Sequence, residues 1–145
     1  MNDTYFYEVS LLWDFETKGT LRSQVTADTI EVVTPVEFPK GMKGKWTPEH
    51  LFVAAVSSCF LSAFLLVADN SKFLFTSFES SATGKVEKLD GKLCVTEIIL
   101  KPTLVIPSTQ KEDKAIRILE MSEKACAIAR SIKTKVILEP IILLN

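Results

Sequence analysis

Cysteine thiols are the side chains in this sequence with the clearest chemical potential. The 145 residues include three, Cys59, Cys94 and Cys126, which are too few and too scattered for a disulfide scaffold. A thiol reacts as its thiolate, which a neighbouring cation favours. Unpaired cysteine is also among the most buried residue types, so each thiol is interpreted either as an inert core residue or as a reactive group.

The reactive interpretation favours Cys59 and Cys126. Cys59 lies at the middle of a long apolar segment, and Cys126 lies on the apolar stripe of a second predicted helix. If the two helices pack together, the two sulfurs can face one another. Cys94 lies in a predicted strand with no such companion, so we expect it to be inert.

Glu49 is a second candidate site residue, ten positions before Cys59. On one helix the two residues are on the order of 15 Å apart and cannot touch. Two such helices packed antiparallel around a twofold axis would bring Glu49 of one subunit toward Cys59 of the other. Alternatively, Glu49 only complements the dipole of the first turn. His50 is the only histidine, and no cysteine or carboxylate accompanies it at metal-binding spacing, so we expect no metal.

The apolar segment at residues 47–70 is predicted to form one buried helix. Thr47 can cap its first turn, Pro48 suits its first position, and Asp69 and Asn70 favour a turn at its end. Because apolar residues cover all sides of this helix, we expect burial on all sides by sheet and by a second subunit. Three serines interrupt the apolar run, so we do not interpret it as a membrane span.

The remaining patterns predict strands and one further helix. An N-terminal meander is expected from strands at residues 4–15, 20–26 and 29–33, with a turn at Lys18-Gly19 and a loop at residues 34–46. Asp90-Gly91 predicts a hairpin between residues 75–88 and 92–106. A helix from Ser108 or Thr109 to about Ser131 and a strand at residues 134–144, interrupted at Pro140, complete the chain. The predicted fold is α+β, in the order β-β-β-α-β-β-α-β, with a largely antiparallel sheet and a single domain over residues 1–145.

The composition limits the classes of partner. A net charge of -1 gives no electrostatic reason to expect nucleic acid or an anionic membrane as partner. The first residues lack the basic region and apolar core of a signal peptide, so a cytoplasmic location is expected.

Residues 47–60, TPEHLFVAAVSSCF, resemble the cysteine helix of the OsmC/Ohr family of osmotically induced and organic hydroperoxide resistance proteins. Glu49 and Cys59 have the spacing of that family, the order of elements agrees along nearly the whole chain, and Cys126 falls where the family has its second cysteine. The resemblance implies an intertwined homodimer that reduces organic hydroperoxides or hydrogen peroxide without metal, flavin or any other cofactor.

The resemblance also implies a role for each site residue. Cys59 would be the peroxidatic thiol, Cys126 would resolve its sulfenic acid as a disulfide, and an external dithiol would regenerate the enzyme. Glu49 would orient an arginine that stabilises the thiolate.

The identity of that arginine is the first departure from the family. In OsmC/Ohr proteins this arginine usually precedes a glycine in the first hairpin, where this chain has Lys18-Gly19. Lys18, Arg22 and Arg130 are the candidates, and we favour Arg22. The chain also has Ala127-Ile128-Ala129 where the family commonly includes proline and serine after the second cysteine.

The missing arginine motivates an alternative function. In that interpretation the chain is a catalytically inactive relative that binds a small apolar ligand at the dimer interface. The aromatic residues Phe52, Phe60 and Phe64 of the apolar helix would line the pocket.

Overall fold

The computed structural model describes residues 3–145. Within them the backbone divides into two compact units, one ending at Leu51 and one comprising Phe52–Asn145. Each unit is described by itself below. The expectation of a single domain stays a prediction.

The first unit contains a three-stranded antiparallel sheet, which confirms the predicted N-terminal meander. Its strands are β1 (Ser10–Phe15), β2 (Lys18–Arg22) and β3 (Ile30–Val32), in the order β1-β2-β3. The turn between β1 and β2 lies at Glu16-Thr17, so the turn predicted at Lys18-Gly19 is wrong by two residues. Glu16 adopts a φ of 49°, the left-handed conformation that lets the chain reverse before Lys18 pairs with Phe15.

The first strand is shorter than predicted. Residues 4–9 are exposed and lie outside the strand, although their alternating aromatic and β-branched side chains predict extended structure. The register explains the difference, because the pairing of β1 with β2 stops at Ser10 and Arg22 and no strand continues beside the earlier residues.

The central helix, α1 (Pro48–Asn70), begins where the sequence predicts. The Thr47 Oγ1 accepts the backbone N–H of His50 at 3.2 Å, and the backbone N–H of Thr47 donates to Nδ1 of His50 at 3.2 Å. This reciprocal arrangement is a capping box in which histidine takes the position usually held by Glu or Gln. It satisfies two backbone donors that would otherwise lack partners at the helix start.

Within one chain, helix α1 is buried along one stripe, so the expected burial of its other sides by a second subunit stays a prediction. The buried residues recur every four positions and are Val56, Phe60, Phe64 and Ala68, whereas Leu61, Leu65 and Leu66 are exposed. One chain therefore covers only the face that packs on its own core. By length and composition alone α1 would be able to cross a membrane, a criterion that core helices of soluble proteins also meet.

The second unit is built on a long hairpin of β4 (Ser77–Leu89) and β5 (Lys92–Ile106). The predicted reversal at Asp90-Gly91 is confirmed, and both residues adopt positive φ, 51° and 78°, as a type I′ hairpin turn requires. Two short strands, β6 (Lys135–Leu138) and β7 (Ile141–Leu144), pair in parallel with successive parts of β5. The predicted last strand is thus divided in two, because Pro140 has no N–H to donate to the sheet.

The second predicted helix is also divided. Helix α2 (Glu112–Ala125) begins after Lys111 without a side-chain cap, so the predicted caps Ser108 and Thr109 lie in the preceding turn. It ends at Cys126, whose φ of -68° and ψ of 110° are extended, and the short α3 (Ala127–Arg130) follows. Cys126 is therefore a junction residue and does not lie within a helical stripe.

The core of the second unit lies where α1 and α2 pack on the hairpin sheet. Phe64 of α1 stacks on Phe78 of β4 with ring centroids 4.7 Å apart, and Leu104 of β5 and Leu119 of α2 are fully buried beside them. Gly84 of β4 allows α1 to approach closely, since a Cβ there would lie 2.6 Å from Cγ2 of Val53. The predicted α+β fold with a largely antiparallel sheet is confirmed.

Candidate functional site

The structure brings the two predicted reactive cysteines together. Cys59 lies on α1 and Cys126 lies at the junction of α2 and α3, where the Cys126 sulfur reaches α1 at the carbonyl oxygen of Val56, three positions before Cys59. The side chain of Cys59 is near enough to contribute to raising the pKa of Cys126. The expectation that the two sulfurs face one another stays a prediction. The sequence did not predict the helix break that places Cys126 at this junction.

The Cys126 thiol is enclosed by backbone groups of two elements. Its side chain is 1% exposed, its Sγ accepts the N–H of Ala129 at 3.4 Å, and its thiol lies 4.0 Å from the carbonyl oxygen of Val56. Burial raises the pKa of this thiol, and the hydrogen bond with Cys59 raises it further, while the Ala129 N–H acts in the opposite direction. Cys126 is therefore held as a protonated thiol at neutral pH.

Cys59 has a different environment from its companion. It is half-buried, next to the fully buried Phe60 and three positions from the fully buried Val56. A partly accessible thiol beside a buried protonated one can be oxidised by a small molecule and then form a disulfide with its neighbour. Cys94 is exposed on β5, opposite Glu87 of β4, so it provides a comparison thiol outside the pair.

Glu49 lies in the first turn of α1, as predicted. Its Oε1 is buried, and within residues 3–145 it has no hydrogen-bond partner. Leaving a buried carboxylate oxygen unpaired is costly in free energy. This oxygen is therefore an open acceptor for a hydrogen-bond donor.

The predicted cation candidates have different surroundings. Lys18 Nζ lies 2.7 Å from Asp14 and 3.1 Å from Glu31, and its side chain is only 12% exposed. The hydrogen bonds that Lys18 and then Thr20 donate hold the pKa of Asp14 below its usual value. Lys18 is thus already paired with the carboxylates of Asp14 and Glu31 in its own unit.

Arg22 and Arg130 are less constrained. Arg22 is exposed on β2, and in the described part of the chain it forms no ion pair within 4.0 Å, although its charge contributes to lowering the pKa of Asp14. Arg130 is exposed at the end of α3, where its backbone N–H donates to the carbonyl oxygen of Cys126 at 3.1 Å. Within residues 3–145 the guanidinium of Arg130 likewise forms no ion pair within 4.0 Å, so both arginines can pair with a carboxylate elsewhere.

The aromatic residues proposed for a ligand pocket lie mostly inside the core. Phe60 and Phe64 are fully buried and pack against Phe78 at ring-centroid distances of 5.8 and 4.7 Å. They fill space and do not line a cavity. Among residues 3–145 no three His, Cys, Asp or Glu side chains are grouped as metal ligands, and a metal-free site stays a prediction.

Two features of the site were not predicted from the sequence. The first is the Ala129 N–H that holds the Cys126 sulfur, because nothing in Ala127-Ile128-Ala129 signals a helix break. The second is His50 as the capping partner of Thr47, which the three-residue spacing would have suggested had histidine been considered at that position.

Comparison with known proteins identifies relatives of most of the chain. The protein family described as OsmC-like protein matches residues 41–140. Peroxiredoxin OsmC of Escherichia coli K12 is 27% identical over 100 residues, which cover 69% of this chain and 68% of that protein.

Solved structures share the fold. An OsmC-like protein of unknown function from Vibrio cholerae superposes with a TM-score of 0.85 at 25% identity, covering 95% of this chain and 100% of that one. An organic hydroperoxide resistance protein from Elizabethkingia anophelis has a TM-score of 0.78 at 20% identity, with both chains fully covered. OhrB of Bacillus subtilis has a TM-score of 0.71 at 16% identity, covering 95% of this chain and 98% of that one.

Proposed function

The chain belongs to the OsmC-like protein family, and we propose that it is a thiol-dependent peroxidase that reduces organic hydroperoxides or hydrogen peroxide without metal or flavin. The observation that carries the proposal is the position of the buried Cys126 sulfur against α1, 4.0 Å from the carbonyl oxygen of Val56, on the helix that bears the half-buried Cys59. The name of the E. coli relative, peroxiredoxin, agrees with peroxide chemistry.

The first step uses the more accessible thiol. The Cys59 thiolate attacks one oxygen of the peroxide, the O–O bond breaks, and Cys59 becomes a sulfenic acid. The leaving alkoxide takes a proton and departs as an alcohol, or as water when the substrate is hydrogen peroxide. The peroxide is reduced by two electrons, and the Cys59 sulfur is oxidised by two.

The second step uses the buried thiol. The Cys126 sulfur attacks the Cys59 sulfenic sulfur and loses its proton, and the sulfenic hydroxyl leaves as water. A disulfide then joins Cys59 and Cys126. Because its pKa is raised, Cys126 stays protonated until the sulfenic acid forms beside it, which keeps it from competing for peroxide. An external dithiol reduces the disulfide and is itself oxidised.

We further propose that a second copy of the chain completes the site. The exposed leucines of α1 leave an apolar face that a second α1 would cover. The unpaired Oε1 of Glu49 would then receive Arg22, since Lys18 is already paired with Asp14 and Glu31. A guanidinium held in this way would favour the Cys59 thiolate.

The test is peroxide consumption with dithiothreitol as reductant, with tert-butyl hydroperoxide and hydrogen peroxide as separate substrates. Cys59→Ser is expected to abolish turnover. In Cys126→Ser oxidised by one equivalent of peroxide without dithiothreitol, the sulfenic acid is expected to persist and to be labelled at Cys59 by dimedone. Cys94→Ser is the matched control and should retain wild-type turnover, because its thiol is exposed and outside the pair. Equal turnover by wild type and Cys59→Ser would end the proposal.

A further inference from the structure

His50 is the only histidine of the chain, and its ring takes part in the start of α1. Its Nδ1 lies 3.2 Å from the backbone nitrogen of Thr47, which donates to it, and 2.7 Å from the Thr47 hydroxyl. Because a backbone N–H can only donate, Nδ1 is the acceptor, and the proton of the neutral ring lies on Nε2. The helix start therefore depends on one unprotonated ring nitrogen.

Protonation of the ring removes that acceptor. Histidine is the side chain whose charge ordinarily changes between pH 5 and 8. The charged ring carries N–H groups at both nitrogens, so Nδ1–H and the Thr47 N–H become two donors that face each other. The Thr47 hydroxyl oxygen can still accept from Nδ1–H, and it already accepts the His50 backbone N–H at 3.2 Å. The Thr47 N–H is then left without an acceptor.

The loss of this acceptor is costly for two reasons. Thr47 is 5% exposed, so water does not readily take the place of the ring nitrogen. A positive charge in the first turn also opposes the helix dipole, whose N-terminal end is positive. Both effects weaken the first turn of α1 when His50 is protonated.

The charged groups beside the ring do not compensate for its charge. On α1 the nearest one is Glu49, the preceding residue in the chain. Trp46 meets the ring edge-on, with centroids 6.2 Å apart, and its backbone pairs with β3. On these two segments Glu31 pairs with Lys45 and Lys18. In the described part of the chain the ring forms no ion pair within 4.0 Å, so no carboxylate holds the protonated ring in place.

We propose that His50 is a pH-dependent positioning residue, whose protonation opens the first turn of α1 and releases Glu49 from its position. Glu49 lies in that turn, and its buried Oε1 is an open acceptor. An opened turn would no longer hold this oxygen for a cation, so activation of Cys59 would decline in acid by more than thiol protonation alone explains. This last step rests on the proposed peroxidase function, whereas the opening of the turn does not.

The first test follows hydrogen exchange of the Thr47 amide at pH 8 and pH 5, with each rate divided by the intrinsic rate at that pH. In wild type the protection of this amide should fall about fivefold as His50 gains its proton, the factor expected for loss of a helix cap. The Phe73 amide donates to the Ala68 carbonyl at the other end of α1 and should keep its protection. Constant protection of Thr47 would overturn the proposal.

His50→Gln is the matched variant, because glutamine is a usual partner in a capping box and does not titrate. Its Thr47 amide should have the same protection at pH 5 and pH 8. His50→Ala lacks the acceptor and should show low protection at both pH values. Glu49 is unchanged in the two variants, so any effect of its own titration remains in them. A fall in protection that persists in His50→Gln would refute the role of the histidine.

The single histidine also allows a direct test of the tautomer. The nitrogen-15 spectrum of the ring at pH 8 should show a proton on Nε2 and none on Nδ1. A proton on Nδ1 of the neutral ring would contradict its role as the acceptor and overturn the proposal.

The last test connects the turn to the proposed site. The rate of a single oxidation of Cys59 by tert-butyl hydroperoxide is measured at pH 8 and pH 5.5 in wild type and His50→Gln. Thiol protonation slows both proteins, so the ratio of the two rates should be at least about twofold larger in wild type. Equal ratios would refute the link between the turn and the site. Absence of oxidation in both proteins would refute the peroxidase proposal and leave the exchange result in force.

Discussion

Replacing Gly84 by alanine should loosen the packing of α1 on β4. The new Cβ would lie 2.6 Å from Cγ2 of Val53, and the next atom, Cγ1 of Val95, is at an ordinary 3.8 Å. The clash therefore involves one methyl group. Valine on a helix is nearly fixed in one rotamer, so relief requires movement of the helix backbone.

The magnitude follows from two opposing effects. Overpacking of a well-packed contact costs about 1–3 kcal/mol. Replacing glycine in a strand interior recovers about 0.5–1 kcal/mol of backbone entropy. We expect Gly84→Ala to lower the free energy of unfolding by about 1–2 kcal/mol net, which lowers the urea midpoint by roughly 0.5–1 M.

The assay is urea unfolding of wild type, Gly84→Ala, Val53→Ala and the double variant. Val53→Ala removes the clashing methyl, so the double variant should be more stable than the sum of the two single effects predicts, by at least about 1 kcal/mol. Additive effects, or a Gly84→Ala protein as stable as wild type, would refute the reasoning from this contact.

Three further perturbations test the site and its surroundings. Burial raises the folded-state pKa of Cys126 above its unfolded value of about 8.5, so its contribution to stability is present below that pH and lost above it. Between pH 7 and pH 10 the free energy of unfolding in urea should therefore fall more for wild type than for Cys126→Ser. Equal falls in the two proteins would contradict this. Leu65→Glu should dissociate the proposed dimer in sedimentation velocity while Leu89→Glu, equally exposed on the hairpin, should not, and a dimeric Leu65→Glu would exclude α1 as the interface. Arg22→Gln should slow the proposed oxidation of Cys59 at pH 7 about tenfold or more, as loss of a thiolate-stabilising cation would, and a larger effect from Lys18→Gln would transfer that role to Lys18.

Local signals predicted those parts of the fold that are determined locally. The Thr47-Pro48 start of α1 and the Asp90-Gly91 hairpin are both confirmed because each depends on a few neighbouring residues. The expected burial on all sides of α1 is met by one chain along a single stripe only, and the part expected from a second subunit stays a prediction. Residues 4–9 show the same limit, because extended side-chain patterns form a strand only where a neighbouring backbone is available to pair.

The site illustrates a different limit. The sequence predicted that Cys126 lies near the helix of Cys59 if the two helices pack together, but it placed Cys126 on a continuous helical stripe, whereas the structure places it at a helix junction. The break at Cys126 was not predictable from propensity, because alanine, isoleucine and arginine after it all permit a helix to continue. Tertiary contacts with Val56 and Cys59 hold the sulfur on the α1 side, and the backbone at Cys126 becomes extended there. A continuous helix would have left residues 127–130 hydrogen-bonded through α2. The break instead gives the Ala129 N–H the Cys126 sulfur as its acceptor, at 3.4 Å, so a side chain takes the place of a backbone carbonyl at the start of α3.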